Sequence, residues 1–486
     1  MVNRVSYPIL ALLILGTAGC AVPREAVQPE VAVPSAFTQV PASASAVLPE
    51  QMASWWTVFG DSSLDAQVAL AQARNRDLLA ARARVRAARA MSDVAESLLW
   101  PSVDAVGGAS RTGSEQQHTG LYDPGMTPVG PVPPFQVPPL PRASTAFAGL
   151  AAQWEIDVMG GRQSDVAAAQ ARDAATQAQA RGLAILVAAD VVQNHLEAQA
   201  IAARQAVLQR GIDTAAQLER YAQARFEAGQ AQRADVERAH AQRQALQAQV
   251  DALAAQRALC QRRLAVLTGQ APQEVDPAQP GPARPGAGIH RAPVLPQVLP
   301  SEVLAQRPDV AAAWQLAQMR AAELGSAQAD QWPHFVLGFT GVDGHLSLSG
   351  YPATSGLFGG ISLGVSWPLF NAGRLAARER AQAQLLDASV RGLEQSLLQA
   401  LQDVDDAYQS TQALDTRVQW LDAAWRSAAA SAGSLDGQHR EGAVLLQPVL
   451  EARLQALSSE DALLQAQMAR ALAWVGVYKA LGWGGA

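Results

Sequence analysis

The chain has 486 residues, of which 49% are hydrophobic but only 5% aromatic and 16% charged. This length allows two or three domains, while the shortage of large side chains favours helices packed through small residues over one large globular core. The net charge of −6, with arginines spread along helix faces, gives no basic footprint and disfavours nucleic-acid binding.

The first 19 residues have the pattern of a signal peptide. Arg4 precedes an apolar run from Pro8 to Gly16, which is too short to span a bilayer, and small residues lead to Cys20. The pattern resembles a bacterial lipoprotein signal, in which Cys20 would carry the lipid. An ordinary secretory signal cut near Ala18, or a chance cysteine, is the alternative. Ala21 after the cysteine favours the outer membrane, by resemblance to sorting signals.

Three segments are rich in proline and lack the periodicity of a helix or strand. Residues 20–53 predict a linker or a loosely docked arm, and residues 270–300 predict an extended connection between two halves of the chain. Residues 123–142 contain Pro-x-x-Pro spacings that could suggest a ligand for an SH3-type domain. A surface loop stiffened by prolines is the favoured interpretation.

The first half of the folded chain predicts five elements. A helix is expected from about Ser62 to Leu99, followed by strands near residues 102–109 and 149–158. A long helix from Arg162 to Gly229 and a helix returning to Leu267 complete this half.

In the second half, the stretch from Leu357 to Leu481 begins with a clear strand, Ile361–Trp367, in which apolar and small polar residues alternate. After Arg374 the apolar residues step by threes and fours, as on one face of a long helix. The pattern stops near His439–Gly442 and then resumes, so the chain returns as a second helix. The seam consists of Leu386, Val390, Leu393, Leu397, Leu401, Val404, Ala407, Thr411, Leu414, Val418, Leu421 and Trp425, then Leu450, Leu454, Leu457, Asp461, Leu464, Met468, Ala471, Val475 and Tyr478.

The same order of elements occurs twice, with offsets of 374 − 162 = 212 and 442 − 229 = 213 between matched residues. The sequence therefore predicts a mainly α fold with a small β part. It consists of two tandem repeats of helix-strand-strand-helix-helix, at residues 54–269 and 301–486. The matched segments are Leu99–Pro101 with Gln331–Pro333, Trp154–Arg162 with Trp367–Arg374, and Gly229 with Gly442.

The strands predict a membrane-spanning barrel made by several copies. Each has about ten residues with one apolar and one small polar face, the pattern of a transmembrane strand. Four strands cannot close, and open sheet edges are not tolerated in hydrocarbon, so one copy must share its barrel with others. A soluble antiparallel sheet beside a helical domain is the alternative. The long helices, at 1.5 Å per residue, would reach about 100 Å, which is a periplasm-scale length.

Four segments carry a family resemblance over nearly the whole mature chain. They are Leu304–Val310 with its Arg307-Pro-Asp309 core, Trp332-Pro333, Trp367–Arg374 and Val477–Gly482. Together they resemble the TolC-like outer-membrane efflux proteins, in particular the lipoprotein branch. The resemblance implies a homotrimer with a twelve-stranded transmembrane β-barrel and a long periplasmic α-helical barrel.

The resemblance also implies partners and a function. The expected partners are a periplasmic adaptor (membrane fusion) protein, a proton-driven inner-membrane pump and outer-membrane lipid, in a tripartite efflux system that exports drugs, solvents or metals. An outlet for type I protein secretion would use the same fold. A lipid-anchored periplasmic coiled-coil scaffold without a pore is a further alternative.

The sequence contains no recognisable catalytic constellation. Its seven histidines show no paired metal-ligand spacing, and neither a phosphate-binding loop nor a Gly-x-Ser-x-Gly elbow is present. We therefore expect no enzymatic activity, no metal and no cofactor. Cys260 lies at seam spacing in a predicted helix, which favours buried packing over a reactive thiol.

The helix-hairpin tips are the candidate gate. Gly229 and Gly442 end the longest helices, where glycine readily takes the positive φ of a helix terminus. Asp235 and Glu451 resemble, in position, the acidic residues near the family's periplasmic constriction, although Pro448 stands where the second hairpin usually has Asp. A carboxylate ring facing the lumen would favour cations. Alternatively, Asp235 caps its helix near Arg233 and Glu451 pairs with an arginine such as Arg453. The apolar tip candidates are Val444, Leu445 and Leu446.

Overall fold

The computed structural model describes residues 26–38, 40, 53–112, 143–274, 289, 295–348 and 351–484. Its helices and strands confirm the predicted mainly α fold with one small sheet. The elements are α1 (Ser62–Arg74), α2 (Arg76–Ser97), β1 (Ser102–Thr112), β2 (Ala143–Ile156), α3 (Gly161–Glu227), α4 (Arg233–Leu267), α5 (Pro300–Gln306), α6 (Pro308–Ala329), β3 (His334–Leu348), β4 (Thr354–Ser366), α7 (Arg374–Arg440) and α8 (Leu446–Ala480).

The internal duplication is visible in the lengths of the helices. Helices α2 and α6 both have 22 residues, α3 and α7 both have 67, and α4 and α8 both have 35. At 1.5 Å per residue, the 67-residue helices are about 100 Å long, as the sequence predicted. Three pairs of matched helices are therefore equal in length, whereas α1 and α5 have 13 and 7 residues.

Several predictions from the sequence concern residues outside the described ranges. They are the signal peptide with Cys20, the proline-rich loop 123–142, most of the arm 20–53 and most of the connection 270–300. Within the part of the chain that is described, no helix combines the length and hydropathy needed to cross a membrane.

The described chain divides into two compact units. The first includes Ala90–Gln170 and Met319–Leu386 and contains the sheet, whose antiparallel strand order is β1-β2-β3-β4. All four strands are longer than the predicted ten residues, with 11, 14, 15 and 13 residues in chain order.

The second unit contains an apolar core built from several helices. Trp55 stacks on Tyr478 with ring centroids 4.9 Å apart, and both are buried, as are Trp474 and Tyr408. Beyond Leu386, the predicted seam of α7 and α8 lies in this unit, where its steps of three and four residues bury one face of each helix. Its buried apolar members in this unit include Leu393, Leu397, Val404 and Val418 on α7, and Leu450, Leu454, Leu464, Val475 and Tyr478 on α8.

The arm before the first helix is docked along α7. The Glu30 backbone N–H donates to Glu394 at 3.0 Å, and the Thr38 N–H donates to Asp405 at 3.1 Å. Phe37 is buried against Tyr408 in an edge-on contact, with ring centroids 6.3 Å apart. These described residues of the arm are therefore part of the core's covering and not a free linker.

The single helix predicted from Ser62 to Leu99 is wrong, because the chain breaks at Asn75. Asn75 has an extended ψ of 127°, and its side-chain oxygen accepts hydrogen bonds from the N–H groups of Asp77 and Leu78 at 3.0 and 3.1 Å. Its amide also donates to the Leu267 carbonyl at 3.0 Å. Asparagine thus caps the start of α2, a role in which it competes with continued helix.

Candidate functional site

The sheet has two chemically different faces. In the observed register Val103, Leu150, Phe339, Ile361 and Leu363 share one face, and each is between 48% and 77% exposed in the single chain. Such a contiguous exposed apolar surface marks contact with lipid or protein. Towards the Thr112 end of β1 the same face becomes polar, with Arg111, Ser144, Asp343 and His345.

The opposite face carries small and polar residues. It includes the carboxylate Asp104 and, on the central and edge strands, Thr340, Ser362 and Ser366. Its large aromatic side chains are Phe147 and Phe358. The alternation of apolar and polar faces is that of a transmembrane barrel strand, with lipid on one side and water on the other.

The sheet has two edge strands, each with a strand partner on one side. Within the described part of the chain, β1 pairs only with β2 and β4 only with β3, so each leaves one row of backbone groups without a strand partner. An exposed edge of this kind is a template for another strand. The helix-side ends of β1 and β4 lie at the same end of the sheet, because Ser102 and Ser362 fall in one cross-strand row.

Tryptophans mark the helix-side ends of all four strands, and the two repeats use them in the same way. The Trp154 indole donates to the Leu99 carbonyl at 2.9 Å, and the Trp367 indole donates to the Gln331 carbonyl at 3.2 Å. The neighbouring Trp100 and Trp332 are 75% and 49% exposed. Aromatic rings with a polar N–H are typical of the boundary between bilayer and water.

A charged cluster that the sequence did not reveal lies where β2 continues into α3. Arg162 donates to one carboxylate oxygen of Glu155 at 2.7 and 3.0 Å, and the His334 imidazole lies 3.0 Å from the other oxygen. These residues are separated by up to 179 positions in the sequence, so no local motif could have paired them.

The two helix-hairpin tips have matching backbone turns. Gly229 and Gly442 have φ of 71° and 80°, which glycine adopts without a side-chain penalty. In each tip the glycine N–H donates to the carbonyl three residues earlier, and the next N–H donates to the carbonyl five residues earlier. These paired bonds satisfy carbonyls at the helix end, as in a Schellman-type terminus.

A family comparison agrees with this combination of an open amphipathic sheet and paired long helices. The model described as "Outer membrane efflux protein" matches residues 68–270 and 299–483, which together are most of the chain. This chain belongs to the outer membrane efflux protein family. Members of the family are outer-membrane efflux channels and not enzymes, and its channels are trimeric and work with an adaptor and an inner-membrane pump.

Two relatives of this efflux protein have informative names. It is 28% identical over 481 residues to the "Pyoverdine export outer membrane protein OpmQ" of Pseudomonas aeruginosa, which covers 98% of this chain and 96% of that one. It is 25% identical over 491 residues to the "Probable outer membrane lipoprotein SilC" of Salmonella typhimurium, covering 98% and 99%.

A solved structure supports the fold. The outer-membrane channel OprN superposes with a TM-score of 0.80 at 25% identity, covering 96% of this efflux protein and 100% of that chain. The predicted fold of tandem repeats, in the TolC-like class with a helical barrel, is thereby confirmed.

The Arg307-Pro-Asp309 segment that carried the resemblance has a structural role in this efflux protein. The buried Arg307 guanidinium donates to Asp309 at 2.6 and 3.0 Å, to Asp403 at 2.8 Å and to the Ala480 carbonyl at 2.8 Å. Burial alone would lower the pKa of Arg307, but hydrogen bonds and charge from Asp309 and Asp403 raise it above its ordinary value. The segment therefore ties the start of α6 to α7 and to the end of α8.

A second buried polar cluster was also not predicted from the sequence. His195, 2% exposed, lies 2.9 Å from Asp61 and 2.8 Å from the Gln67 amide oxygen, while Gln199 donates to Asp61 at 2.5 Å. Burial works to raise the pKa of Asp61, but hydrogen bonds from Ser63 and His195 outweigh it and hold that pKa well below 3.8. Asp61 also caps α1, so the cluster fixes α1 against α3.

The acidic gate candidates have local partners at the tips. Asp235, in the first turn of α4, accepts from the Gln232 N–H at 3.2 Å and lies 3.3 Å from Arg238, so it does cap its helix. Glu451 is exposed and accepts from Gln447 at 2.9 Å. The expected alternative partner Arg453 instead binds Asp436.

The apolar tip candidates differ in exposure. Leu445 is 61% exposed, whereas Val444 and Leu446 are half-buried, and the Val444 carbonyl accepts from the His439 imidazole at 2.9 Å. Cys260 is buried, as the seam spacing indicated, and burial raises the pKa of its thiol to about 11.

Proposed function

We propose that this protein is the outer-membrane channel subunit of a tripartite efflux pump that exports small molecules. The observation that carries the proposal is the four-stranded sheet with two unpaired edges and one exposed apolar face. Because unpaired backbone groups are costly in hydrocarbon, such a sheet is stable in a bilayer only when its edges are closed by other copies. Three copies supply twelve strands.

The test of this proposal is the oligomer and its conductance. We expect the purified chain in mild detergent to have the mass of a homotrimer and to produce single-channel currents in planar bilayers. A stable monomer with intact strand signal, or a trimer that never conducts, would refute the channel. The second result would favour a lipid-anchored scaffold.

The partners in this proposal are a periplasmic adaptor and a proton-driven inner-membrane pump. Energy comes from the pump, since the family is not enzymatic, and the hairpin tips are the surfaces nearest the adaptor. OpmQ is named for pyoverdine export, which supports export of small molecules as the class. Drugs, solvents and metals are the candidate cargoes. A deletion strain and the same strain with the gene restored would be grown on a panel of these compounds, and the compound to which only the deletion strain is sensitive would identify the cargo. A defect confined to a secreted protein would instead favour type I secretion.

Lipidation of Cys20 is the second part of the proposal. The signal-like segment before it supports this, and SilC is named as a probable lipoprotein. A fatty-acid probe in growing cells labels the wild type and the Cys260→Ser variant, which lacks only the buried thiol. It does not label Cys20→Ser. Equal labelling of all three would remove the lipid anchor.

The third part concerns ion selectivity at the tips. In a trimer, lumen-facing Asp235 and Glu451 would form rings of carboxylates that favour cations. Replacing both by alanine lowers cation selectivity, measured as a shift in reversal potential under a salt gradient. Asp251→Ala with Asp422→Ala removes the same charge from positions away from the tips and serves as the control. Equal reversal potentials in all variants would move the constriction to Val444, Leu445 and Leu446.

A further inference from the structure

The sheet-bearing unit contains a close contact between two helices. Helix α3 follows β2 and packs on α6, which precedes β3. Ser326 donates to Asp165 at 2.6 Å, and a Cβ placed on Gly161 would lie 3.1 Å from the Ala329 methyl. A Cβ on Gly325 would lie 3.1 Å from the Ser164 hydroxyl. The two helices therefore approach through small residues.

The duplication places an equivalent pair of helices at the two open edges. Helix α7 follows edge strand β4 as α3 follows β2, with an offset of 374 − 162 = 212, and α2 precedes edge strand β1 as α6 precedes β3, with an offset of 332 − 100 = 232. With these offsets Ser164 and Asp165 correspond to Ala376 and Ala377. Gly325 and Ser326 correspond to Asp93 and Val94.

The same duplication also predicts a register between β4 of one copy and β1 of the next. Trp154 lies opposite Leu337, so the same offsets, with 213 for the tryptophans, place Trp367 opposite Ala105 of a neighbouring copy. Continuing antiparallel, Val365 would face Gly107. This register keeps the odd-numbered residues of β4 and β1 on the same, apolar face, whereas a shift by one residue would reverse one strand.

The two helix surfaces also suit each other. On α2, Met91, Val94 and Leu98 are 63%, 54% and 48% exposed. On α7, Ala376, Ala377 and Ala381 are exposed small residues that leave room for them. A row of large side chains can therefore pack against a row of small ones.

The charges at these positions are complementary. Among the described residues Asp93 has no ion pair, and Arg380 donates only to the carbonyl of Ala376 in its own helix, at 3.3 Å. Arg380 lies one turn beyond Ala376, the residue that the mapping sets against Asp93. Helix α2 thus offers a carboxylate, and α7 offers a guanidinium of opposite charge.

We propose that α7 of one copy packs on α2 of the next copy, with Ala376 and Ala377 against Asp93 and Val94, and with an ion pair between Arg380 and Asp93. This interface rests on the trimeric channel proposed above. It would make the contact between copies a repetition of the contact between the two halves of one chain.

A disulfide test decides whether these residues meet. In a Cys260→Ala background, Val94→Cys with Ala377→Cys is oxidised in native membranes. The chain is expected to shift from monomer to covalent dimer and trimer on a non-reducing gel, while each single variant stays monomeric. The control pair is Val94→Cys with Leu398→Cys, whose second thiol lies 21 residues further along α7, about 30 Å away. Linking by the control pair, or a bond within one chain, would overturn the interface.

A charge exchange gives a second readout. Asp93→Arg and Arg380→Asp each lower the temperature at which the trimer dissociates on gels, and the double exchange recovers most of that loss. No recovery would remove the ion pair. If the protein is a trimer by mass but neither test responds, the interface is wrong and the channel proposal stands. A monomer by mass would instead refute the channel proposal.

Discussion

The sheet and the helical core place their apolar residues in opposite environments. Ile361 and Leu363 are 77% and 65% exposed in the single chain, whereas Trp55 and Trp474 are buried among the core helices. The core is completed by residues of the same chain. The sheet needs lipid and other copies to cover its face and edges, so its stability is a property of the assembly and the membrane.

The largest expected effect comes from the core. Trp474→Ala removes a side chain that is 1% exposed, and its loss should lower the free energy of unfolding by about 3–5 kcal/mol. Thermal loss of the helical circular-dichroism signal in detergent measures this. Trp420→Ala, at a residue that is 74% exposed, should change stability by less than about 0.5 kcal/mol. Similar losses in both variants would contradict the assignment of the core.

The sheet should respond to charge according to the face that receives it. Ile361→Arg puts a charge on the apolar face and should cost about 2–4 kcal/mol of folding into a bilayer near its midplane. Ser362→Arg, on the opposite face, should fold with little loss and alter conductance instead. Urea titration of folding into liposomes measures the first effect. Equal penalties at the two neighbouring positions would break the distinction between a lipid face and a lumen face.

A smaller effect is expected from the ion pair that joins α3 to α8. Arg204 donates to both oxygens of Asp461 at 2.7 and 3.2 Å, and both side chains are mostly buried. Arg204→Met leaves Asp461 without this partner and should cost about 1–3 kcal/mol. Arg204→Met with Asp461→Leu should recover part of it.

The matched control for that pair is Arg210→Met. Arg210 binds Glu460 on the same two helices, but it is 57% exposed, so its loss should cost at most about 1 kcal/mol. Chemical denaturation of the three variants and the wild type separates the cases. Equal losses of unfolding free energy for Arg204→Met and Arg210→Met would show that burial does not determine how much these ion pairs stabilise the protein.

The last expected effect is a pH dependence of the stability of the core. Because the folded-state pKa of Asp61 is lowered below 3.8, its contribution to stability is complete above that pH and is lost as the pH falls towards the folded pKa. Asp61→Asn should therefore lower stability at neutral pH and flatten the acid side of the stability curve below about pH 4. Thermal unfolding between pH 3 and pH 7 provides the measurement, and parallel curves for both proteins would contradict the role of Asp61.

Much of the fold was predictable because periodic patterns are local. The seam residues Leu393, Val404 and Val475 were identified from spacing alone, since helix geometry fixes which residues share a face. The duplication was also readable, because matched turns recur in the same order. These features established the elements and their sequence.

The site was less predictable because its contacts join distant residues. Arg204 with Asp461 and His334 with Glu155 are separated by 257 and 179 positions, and nothing in either local sequence names the partner. The break at Asn75 was missed for a related reason. An asparagine within an Ala-rich and Arg-rich stretch costs little as helix, and only its contact with Leu267 shows that it ends one.

The equal lengths of the matched helices restrict how such a chain can change in evolution. One inserted residue rotates every following side chain by about 100°, which would turn the buried seam of α3 or α7 towards solvent. Insertions would therefore be tolerated only as whole heptads. A heptad added to one helix of a hairpin would need a matching heptad in the returning helix. Both hairpins would need the same insertion for their helices to remain equal in length. The connection between the first two strands is under no such restriction. From Trp100 to Trp154 there are 154 − 100 = 54 positions, but from Trp332 to Trp367 only 367 − 332 = 35. Chain length therefore differs between the two repeats in this connection, whereas it is the same in the three pairs of matched helices.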